Sequence, residues 1–453
     1  MTLFVKVTER FELHLLVTKT TGKPFTVRWW AREFLILPPR YLHALNGADC
    51  HNLSFYRTIS DAFFLHTSVG DLYDSKATVE VVTKGLNPRL PRLMPIVEAE
   101  LDYALDAELS GDPDGDTPTA QSFFNSIVHR ITSRVLIGEE LCRDERFIQL
   151  SREFVKSIFV TGLLITKLPL GPLRGWLAYP LASWHRRKLA RCTTILQPML
   201  RRRIQQDEQH RHSTKPSESR LEKLDATEWA LALLPPGSEV DTQRLAQELM
   251  QNLWAGSSSP SGLATDVMFQ LLLEPRYKTM IVEEARDALK HGERWTEATL
   301  NRLRLLERFI YELTPYLTRL VTCSRTVLNK PYIFPDGLTL PVGTRFGFPT
   351  MAMQNDADAG LDVLHVTDSD VGLKNATTMS AENLTFGYGT HFCPGRFFAI
   401  RLVKIVVVTL LLRYDIEWVG QITERPKPIF IEGQFIPNQT QRIRIRKRVS
   451  PGA

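Results

Sequence analysis

The chain has 453 residues, of which 43% are hydrophobic, so it can bury a large core as one domain or as two tightly joined subdomains. Its five cysteines are odd in number and scattered along the chain, which argues against a disulfide framework and favours a reducing compartment. A net charge of +6 suits an anionic membrane surface or an acidic redox partner; the basic residues form no nucleic-acid motif, so no nucleic-acid partner is expected.

The first elements in chain order are an N-terminal extension and a hairpin. Residues 1–21 carry interspersed charges and predict neither a signal peptide nor a transmembrane anchor. Apolar residues alternate from Phe25 to Trp29 and continue from Phe34 to Leu37, which predicts two paired strands. No apolar run reaches the roughly 20 residues that a membrane-spanning helix needs. A cytoplasmic or peripheral location is therefore expected for this chain.

The next part of the chain is predicted to be helical. Apolar residues recur near the helical period from Leu93 to Leu109 and from Ser122 to Ile137. A basic helix ending at Arg203 follows, and then a polar segment from Gln205 to Lys223, which is predicted to be a surface loop.

The second half combines long helices with short strands. Asp241 to Leu273 predicts one long helix with a break near Ser257 to Gly262, and Thr299 to Thr314 predicts another helix. Short strands are expected at Pro331 to Phe334 and at Leu338 to Pro341, around an Asp-Gly turn. The pattern predicts a mainly α protein with a small β subdomain.

The most informative motif is FGYGTHFCPGRFFA at residues 386–399, which places one cysteine between a glycine-rich loop and an apolar helix. Pro394 suits the first turn of that helix, so Cys393 is expected near its N-terminus, where free N–H groups lower a thiol's pKa. Gly389 and Gly395 carry no Cβ and allow close approach to a flat macrocycle. Phe386 is expected to shield the sulfur from water. These residues predict a thiolate ligand to haem iron. The competing interpretation is a structural cysteine in a hairpin that leads to a core helix. A zinc site is disfavoured, because no further Cys or His accompanies His391 and Cys393.

At Phe386, Gly389, His391, Cys393 and Gly395 the sequence resembles the cytochrome P450 family, and the histidine before the cysteine resembles its fungal branch. The resemblance extends over residues 22–447, taken as a single domain with the P450 fold. It implies a heme b cofactor with Cys393 as axial thiolate, a hydrophobic small-molecule substrate, an NADPH-dependent reductase as electron donor, and a monomer. Family members usually reside on the endoplasmic reticulum membrane, which leaves peripheral membrane contact open.

The resemblance also assigns the residues that hold the cofactor's carboxylates. Arg325, in Ser-Arg-Thr before a predicted strand, matches the family segment in which an arginine reaches a haem propionate, and His391 stands where a second donor is expected. The helix after Asn87 does not contain the family's propionate-binding tryptophan. Arg89 or Arg92 could replace it, although either could equally be a solvated surface charge.

The central helix matches the family motif only in its first half. Ala255 and Gly256 agree with it, whereas Ser258 and Ser259 stand in place of the acid and the threonine that relay protons to bound dioxygen. Pro260 removes an amide donor and is expected to bend the helix. One interpretation makes Ser258 and Ser259 catalytic, with Ser259 holding a water molecule. The other holds that the serines end one helix and cap the next.

A second departure concerns the helix that precedes the small strands. Glu312 matches the glutamate of the family's Glu-x-x-Arg motif, but Pro315 replaces the arginine. The family's inter-element ion pair is therefore not expected, and Glu312 is predicted to pair with Arg308 one turn back. The loop between Pro349 and Thr385 also departs from the family pattern.

The sequence thus predicts a haem-thiolate monooxygenase that oxidises a hydrophobic small molecule, in fungal secondary metabolism. Two alternatives remain open at this point. One is a haem-thiolate isomerase or dehydratase, which would not need the acid and alcohol pair. The other is a non-catalytic relative with degenerate motifs.

Overall fold

The computed structural model describes residues 22–47, 51–72, 75–211, 224–235, 238–290, 293–317, 323–354, 375–381 and 383–448. In chain order its α-helices are α1 (Phe55–Phe63), α2 (Leu65–Ser68), α3 (Lys76–Glu80), α4 (Leu90–Glu108), α5 (Ala120–Leu136), α6 (Glu145–Lys167), α7 (Arg174–Leu181), α8 (Ser183–Arg211), α9 (Ala226–Leu233), α10 (Thr242–Leu273), α11 (Pro275–Ala288), α12 (Glu297–Arg302), α13 (Arg304–Leu313), α14 (Thr350–Gln354) and α15 (Arg396–Arg413). A π-helical turn at Val81–Leu86 leads into α4.

The described strands form one five-stranded sheet and three two-stranded sheets. The strands are β1 (Phe25–Trp29), β2 (Arg32–Ile36), β3 (Leu53–Ser54), β4 (Arg325–Val327), β5 (Tyr332–Ile333), β6 (Thr339–Leu340), β7 (Arg345–Gly347), β8 (Tyr414–Trp418), β9 (Ile429–Ile431), β10 (Gln434–Ile436) and β11 (Ile443–Lys447). The sheet order is β1-β2-β7-β4-β3, and β5-β6, β8-β11 and β9-β10 pair separately. The predicted first hairpin and the predicted pair at β5 and β6 are both confirmed. The predicted mainly α fold with a small β part is confirmed as well.

The helix α10 runs through the core and packs against α5, α8 and α15. It is continuous over its 32 residues, so the predicted break near Ser257 to Gly262 is wrong. Pro260 leaves the carbonyl of Gly256 without its helical amide donor. The Thr132 hydroxyl of α5 donates to that carbonyl instead, at 3.4 Å. The helix therefore tolerates an internal proline because a neighbouring helix supplies the donor.

Other boundaries shift in ways that the packing explains. The helix α8 continues to Arg211, so the loop predicted from Gln205 begins later, and residues 212–223 lie outside the described residues. The helix predicted from Thr299 to Thr314 is split into α12 and α13 at Leu303, because the Glu284 carboxylate accepts from the amides of Leu305 and Leu306 and so starts a new helix. Within the described residues, no helix combines the length and apolar character that crossing a bilayer requires.

Candidate active site

Glycines fix the shape of the cysteine loop before α15. The Cys393 amide donates to the Phe386 carbonyl at 2.8 Å and closes the loop as a hairpin. Gly387 and Gly389 have φ angles of +85° and +76°, which lie in the left-handed region. A Cβ on Gly389 would lie 2.3 Å from the Leu45 carbonyl oxygen, which no real contact allows. Glycine is thus required at residue 389 both by its backbone angle and by its neighbour.

The helix α15 begins two residues later than the sequence predicts. Its first residue is Arg396 and its N-cap is Gly395, so Pro394 lies in the preceding turn rather than in the first turn of the helix. The Asn87 side-chain amide donates to the Pro394 carbonyl at 3.0 Å. This bond ties the cysteine loop to the start of α4.

Cys393 differs from the other described cysteines in its surroundings. Cys142, Cys192 and Cys323 are buried, whereas Cys393 keeps accessible surface. Burial raises the pKa of the Cys142 and Cys192 thiols to about 12 and that of the Cys323 thiol to about 11. Cys50 lies outside the described residues.

The backbone at the start of α15 is directed at the Cys393 sulfur. The amides of Gly395 and Arg396 and the charge of Arg396 act to lower the thiol's pKa. Desolvation by the surrounding protein atoms is the larger effect, however, so the pKa of Cys393 is raised above its usual value. The predicted lowering is therefore wrong for the protein alone, although the predicted amide donors are there. A cation at the sulfur would offset the desolvation, as a metal does when it deprotonates a bound thiol.

Arg325 and His391 lie close together at one edge of the site. Arg325 is buried on β4. Its guanidinium donates to the Tyr388 carbonyl at 2.7 Å and to the Ser324 carbonyl at 2.8 Å. His391 contacts the Tyr56 ring edge-on and donates to the Leu53 carbonyl. Burial, followed by the Arg325 charge, lowers the pKa of His391 to about 4. The permanently charged Arg325 guanidinium and the His391 ring thus lie together at this edge of the site.

Arg89 and Arg92 were candidates for the same role. Arg89 donates to the Lys84 and Gly85 carbonyls and lies over the Trp229 ring, so it closes the π-helical turn. The structure assigns it to local packing. Arg92 is exposed on the surface of α4.

On α10, Ala255, Ser258 and Ser259 form an accessible strip on an otherwise largely buried helix. Because residues three and four apart share a helix face, these three side chains point the same way. The Ser258 hydroxyl donates to the Trp254 carbonyl at 3.3 Å. The interpretation that the serines end one helix and cap another is wrong, since α10 continues through them.

Gly256 and Ser257 face elsewhere. A Cβ on Gly256 would lie 3.0 Å from the Thr132 methyl carbon, so this glycine permits the close packing of α5 on α10. That neighbour, rather than a cofactor, accounts for the glycine. Ser257 is buried and its hydroxyl lies 3.2 Å from Nδ1 of His129. Burial lowers the pKa of His129 to about 3, so this histidine is neutral at physiological pH.

The structure also contains a link between helices that the sequence did not reveal. The Lys404 ammonium of α15 lies 2.8 Å from the Glu307 carboxylate of α13 and donates to the Leu300 carbonyl at 2.7 Å. The other Glu307 oxygen accepts from the Ala376 amide at 2.8 Å. Glu312 pairs with Arg308 on its own helix, as predicted. Lys404 thus supplies a cross-link in place of the one that Pro315 rules out, and its charge within the largely apolar run from Leu402 to Leu412 was the available signal.

These residues fit a flat macrocycle with one axial thiolate and an anionic edge. Cys393 is an exposed residue whose sulfur has two amide donors. Arg325 and His391 supply donors suited to carboxylates. The helix α10, which bears the accessible strip, packs directly against α15. No cluster of three or more metal-ligating side chains occurs among the described residues.

Comparison with known proteins agrees with this geometry. The family model for cytochrome P450 matches residues 80–442. Cytochrome P450 monooxygenase sirB of Leptosphaeria maculans is 33% identical over 451 residues, which cover 96% of this chain and 85% of that protein. Cytochrome P450 monooxygenase janP of Penicillium janthinellum is 26% identical over 92% of this chain and 80% of its own. Ent-kaurene oxidase of Gibberella intermedia is 26% identical over 94% of this chain and 81% of its own length.

The chain belongs to the cytochrome P450 family. It is a monooxygenase of the fungal type that acts in secondary metabolism, as the sequence predicts. Membership implies a haem-thiolate cofactor, a small-molecule substrate and a redox partner that supplies electrons. The relatives favour this activity over the isomerase or dehydratase alternative and over a non-catalytic relative.

Proposed function

We propose that Cys393 is the only protein ligand to the iron of a heme b and that Arg325 and His391 bind its carboxylate edge. When bound, this group supplies the chemistry that inserts one oxygen atom into a hydrophobic small molecule, and thiolate donation favours cleavage of the O–O bond. The observation that carries the proposal is the pair of amides directed at the sulfur of Cys393, which is an exposed residue. Phe386, Gly389 and Gly395 shape the loop beneath the macrocycle.

On the opposite face, Ala255 would lie against the macrocycle, and Ser258 and Ser259 would order the water that delivers protons. A serine hydroxyl holds and passes a proton but does not supply one at neutral pH. His129 does not serve as the acid, because burial lowers its pKa to about 3 and the ring is neutral at physiological pH. Protons therefore come from solvent water at this strip, and we expect slower delivery than a carboxylate would give.

The substrate is proposed to be apolar. Aromatic side chains stand next to the accessible strip: Trp254 precedes Ala255, and its ring centroid lies 6.3 Å from that of Phe63. Phe63 in turn lies 4.5 Å from Trp30. A pocket bordered by such rings favours a hydrophobic ligand and gives few hydrogen bonds to a polar one.

The electron donor is proposed to be an NADPH-dependent reductase that docks where the cysteine loop reaches the surface. Phe392 is 39% exposed and its ring lies 4.6 Å from the Arg396 guanidinium. Lys84 and Arg92 are exposed nearby, on the segment that Asn87 ties to the loop. A basic rim around an exposed aromatic side chain suits an acidic partner. The chain itself is proposed to act as a monomer.

Peripheral membrane contact is proposed for the surface formed by the end of α6, α7 and the start of α8. Trp176 is 83% exposed, and Leu173 and Tyr179 are each 61% exposed. Arg187 and Arg191 are exposed on α8 directly beyond them. Exposed aromatic and aliphatic side chains bordered by basic residues suit an anionic lipid surface.

The test is reconstitution with an NADPH-dependent reductase and isotopically labelled dioxygen. Wild type is expected to incorporate one labelled oxygen atom into a product from a panel of apolar terpenoid and polycyclic compounds. Cys393→Ser should lose this activity, whereas Cys323→Ser, at a buried thiol without amide donors, should retain it. Full activity in Cys393→Ser would refute the proposed ligand.

A further inference from the structure

Two hairpin turns meet at one corner of the molecule, and both are in an unusual backbone conformation. The turn between β1 and β2 has Trp30 and Ala31 at φ angles of +50° and +56°. The turn between β9 and β10 has Glu432 at +49° and Gly433 at +81°. Non-glycine residues avoid this region, so three such residues persist only where their surroundings hold them in place.

Glu432 joins the two turns to the end of α6. Its carboxylate accepts from the Trp30 amide at 2.5 Å, and its carbonyl accepts from the Trp30 indole N–H at 3.0 Å. The same carboxylate forms an ion pair with Lys167, the last residue of α6. The side chain of Glu432 is only 9% exposed, while that of Lys167 is 53% exposed. A nearly buried carboxylate therefore holds three elements that are distant in sequence.

A cavity lies directly beneath this junction. Its lining includes Trp30, Ile59, Phe63, Ser324 and Gly433. Ser324, on the cavity lining, immediately precedes Arg325 along the chain. Phe63, also on the lining, contacts Trp254, which lies beside the accessible strip of α10. Residues of the cavity lining thus adjoin residues on both sides of the proposed site.

We propose that ligands pass from this cavity to the active site, and that Glu432 determines which of them do so by latching the two turns over this path through its bonds to Trp30 and Lys167. The inference rests on the proposed haem site for its inner end. Ligands larger than the closed path require the latch to open, whereas small ones do not. Access is then governed by an opening equilibrium that one charge-assisted contact controls.

The test measures association rates of two azole ligands that bind haem iron, imidazole and the bulkier 4-phenylimidazole, by stopped-flow absorbance. Glu432→Gln removes the charge and keeps the acceptor for the Trp30 amide, and Lys167→Met removes the partner cation. Each should raise the 4-phenylimidazole rate about tenfold, the change expected for one lost charge-assisted contact, and leave the imidazole rate within about twofold. The double variant should be no faster than either single one, because both remove the same contact. Glu417→Gln is the matched control, since Glu417 is exposed and pairs with Arg444 on β8 and β11.

Acrylamide quenching of tryptophan fluorescence gives a second readout that does not depend on the cofactor. Trp30 is 3% exposed, and quenching should increase in Glu432→Gln and Lys167→Met but not in Glu417→Gln. Unchanged quenching and unchanged azole rates in both variants would overturn the latch. Equal acceleration of both azoles would also overturn it, since that indicates general loosening. If no azole shift occurs in any variant, the haem proposal fails, and the quenching comparison alone decides the latch.

Discussion

Replacing Lys404 by methionine tests the link that holds α15 to the helices behind it. Lys404 is 4% exposed and its ammonium is bound by the Glu307 carboxylate and by the Leu300 carbonyl. Methionine keeps a similar apolar stem but removes the charge. The Glu307 carboxylate, 17% exposed, then remains partly buried with the Ala376 amide as its described partner.

The expected cost follows from this burial. Removing one partner of a buried ion pair costs about 3–5 kcal/mol, because the other charge is left uncompensated. The Arg308–Glu312 pair on α13 serves as the comparison, since its side chains are 28% and 32% exposed and it joins residues four apart on one helix. Such a pair contributes about 0.2–0.5 kcal/mol. Lys404→Met should therefore lower the free energy of unfolding far more than Arg308→Met does.

The assay is denaturant unfolding of both variants, with haem retention followed in parallel. Lys404→Met should also lose haem faster, because Glu307 holds Ala376 and the neighbouring Thr377 carbonyl accepts from Arg396 at the start of α15. Adding Glu307→Gln, which keeps an acceptor for the Ala376 amide without the stranded charge, should recover part of the loss. Equal unfolding midpoints for Lys404→Met and Arg308→Met would refute the reasoning.

Three further outcomes are expected. The Ser258→Asp, Ser259→Thr double variant should release less peroxide per reductant consumed than wild type, since a carboxylate can supply protons; tight coupling in wild type would contradict the role given to the serines. Gly389→Ala should unfold or lose haem, because its Cβ would lie 2.3 Å from the Leu45 carbonyl oxygen. Gly343→Ala, with a φ of +83° but no atom within 4 Å, should lower the free energy of unfolding only by the backbone strain of about 1 kcal/mol. Equal losses of stability in the two variants would show that the close contact at residue 389 is relieved. Burial lowers the pKa of His129 to about 3, so the stability that the neutral ring contributes is complete above pH 6.5. This stability is lost as pH falls from about 6.5 towards 3, by at most about 1.4 kcal/mol per pH unit. A His129→Gln variant whose free energy of unfolding keeps the wild-type dependence on pH would contradict this.

The sequence was informative where local chemistry decides the structure. Gly387 and Gly389 of the cysteine loop have the positive φ angles that favour glycine, whereas Gly395 has an ordinary φ of −86° and no close contact. The alternating residues of β1 and β2 form the expected hairpin. The Arg308–Glu312 pair was predictable because its residues are one helical turn apart. In the hairpin and the ion pair the deciding contact joins residues close in sequence, and in the glycine loop the backbone angle is local, although the close contact of Gly389 is with the distant Leu45.

The sequence was less informative where a distant element supplies the partner. Pro260 predicted a broken helix, but Thr132 from α5 bonds the carbonyl that the proline leaves without a donor. Lys404 and Glu307 are 97 residues apart, and no local pattern pairs them. The direction of the Cys393 pKa depended on how many atoms surround the sulfur, which the sequence does not give. The junction at Glu432 likewise required three separate elements to be placed together.

The central claim is that Cys393 binds the haem iron as a thiolate. It is tested most directly by the carbon monoxide difference spectrum of the reduced protein, recorded for wild type, Cys393→Ser and Cys323→Ser. Wild type and Cys323→Ser should both give the thiolate-type band, and Cys393→Ser should not. A thiolate-type band that survives in Cys393→Ser and disappears in Cys323→Ser would contradict the account.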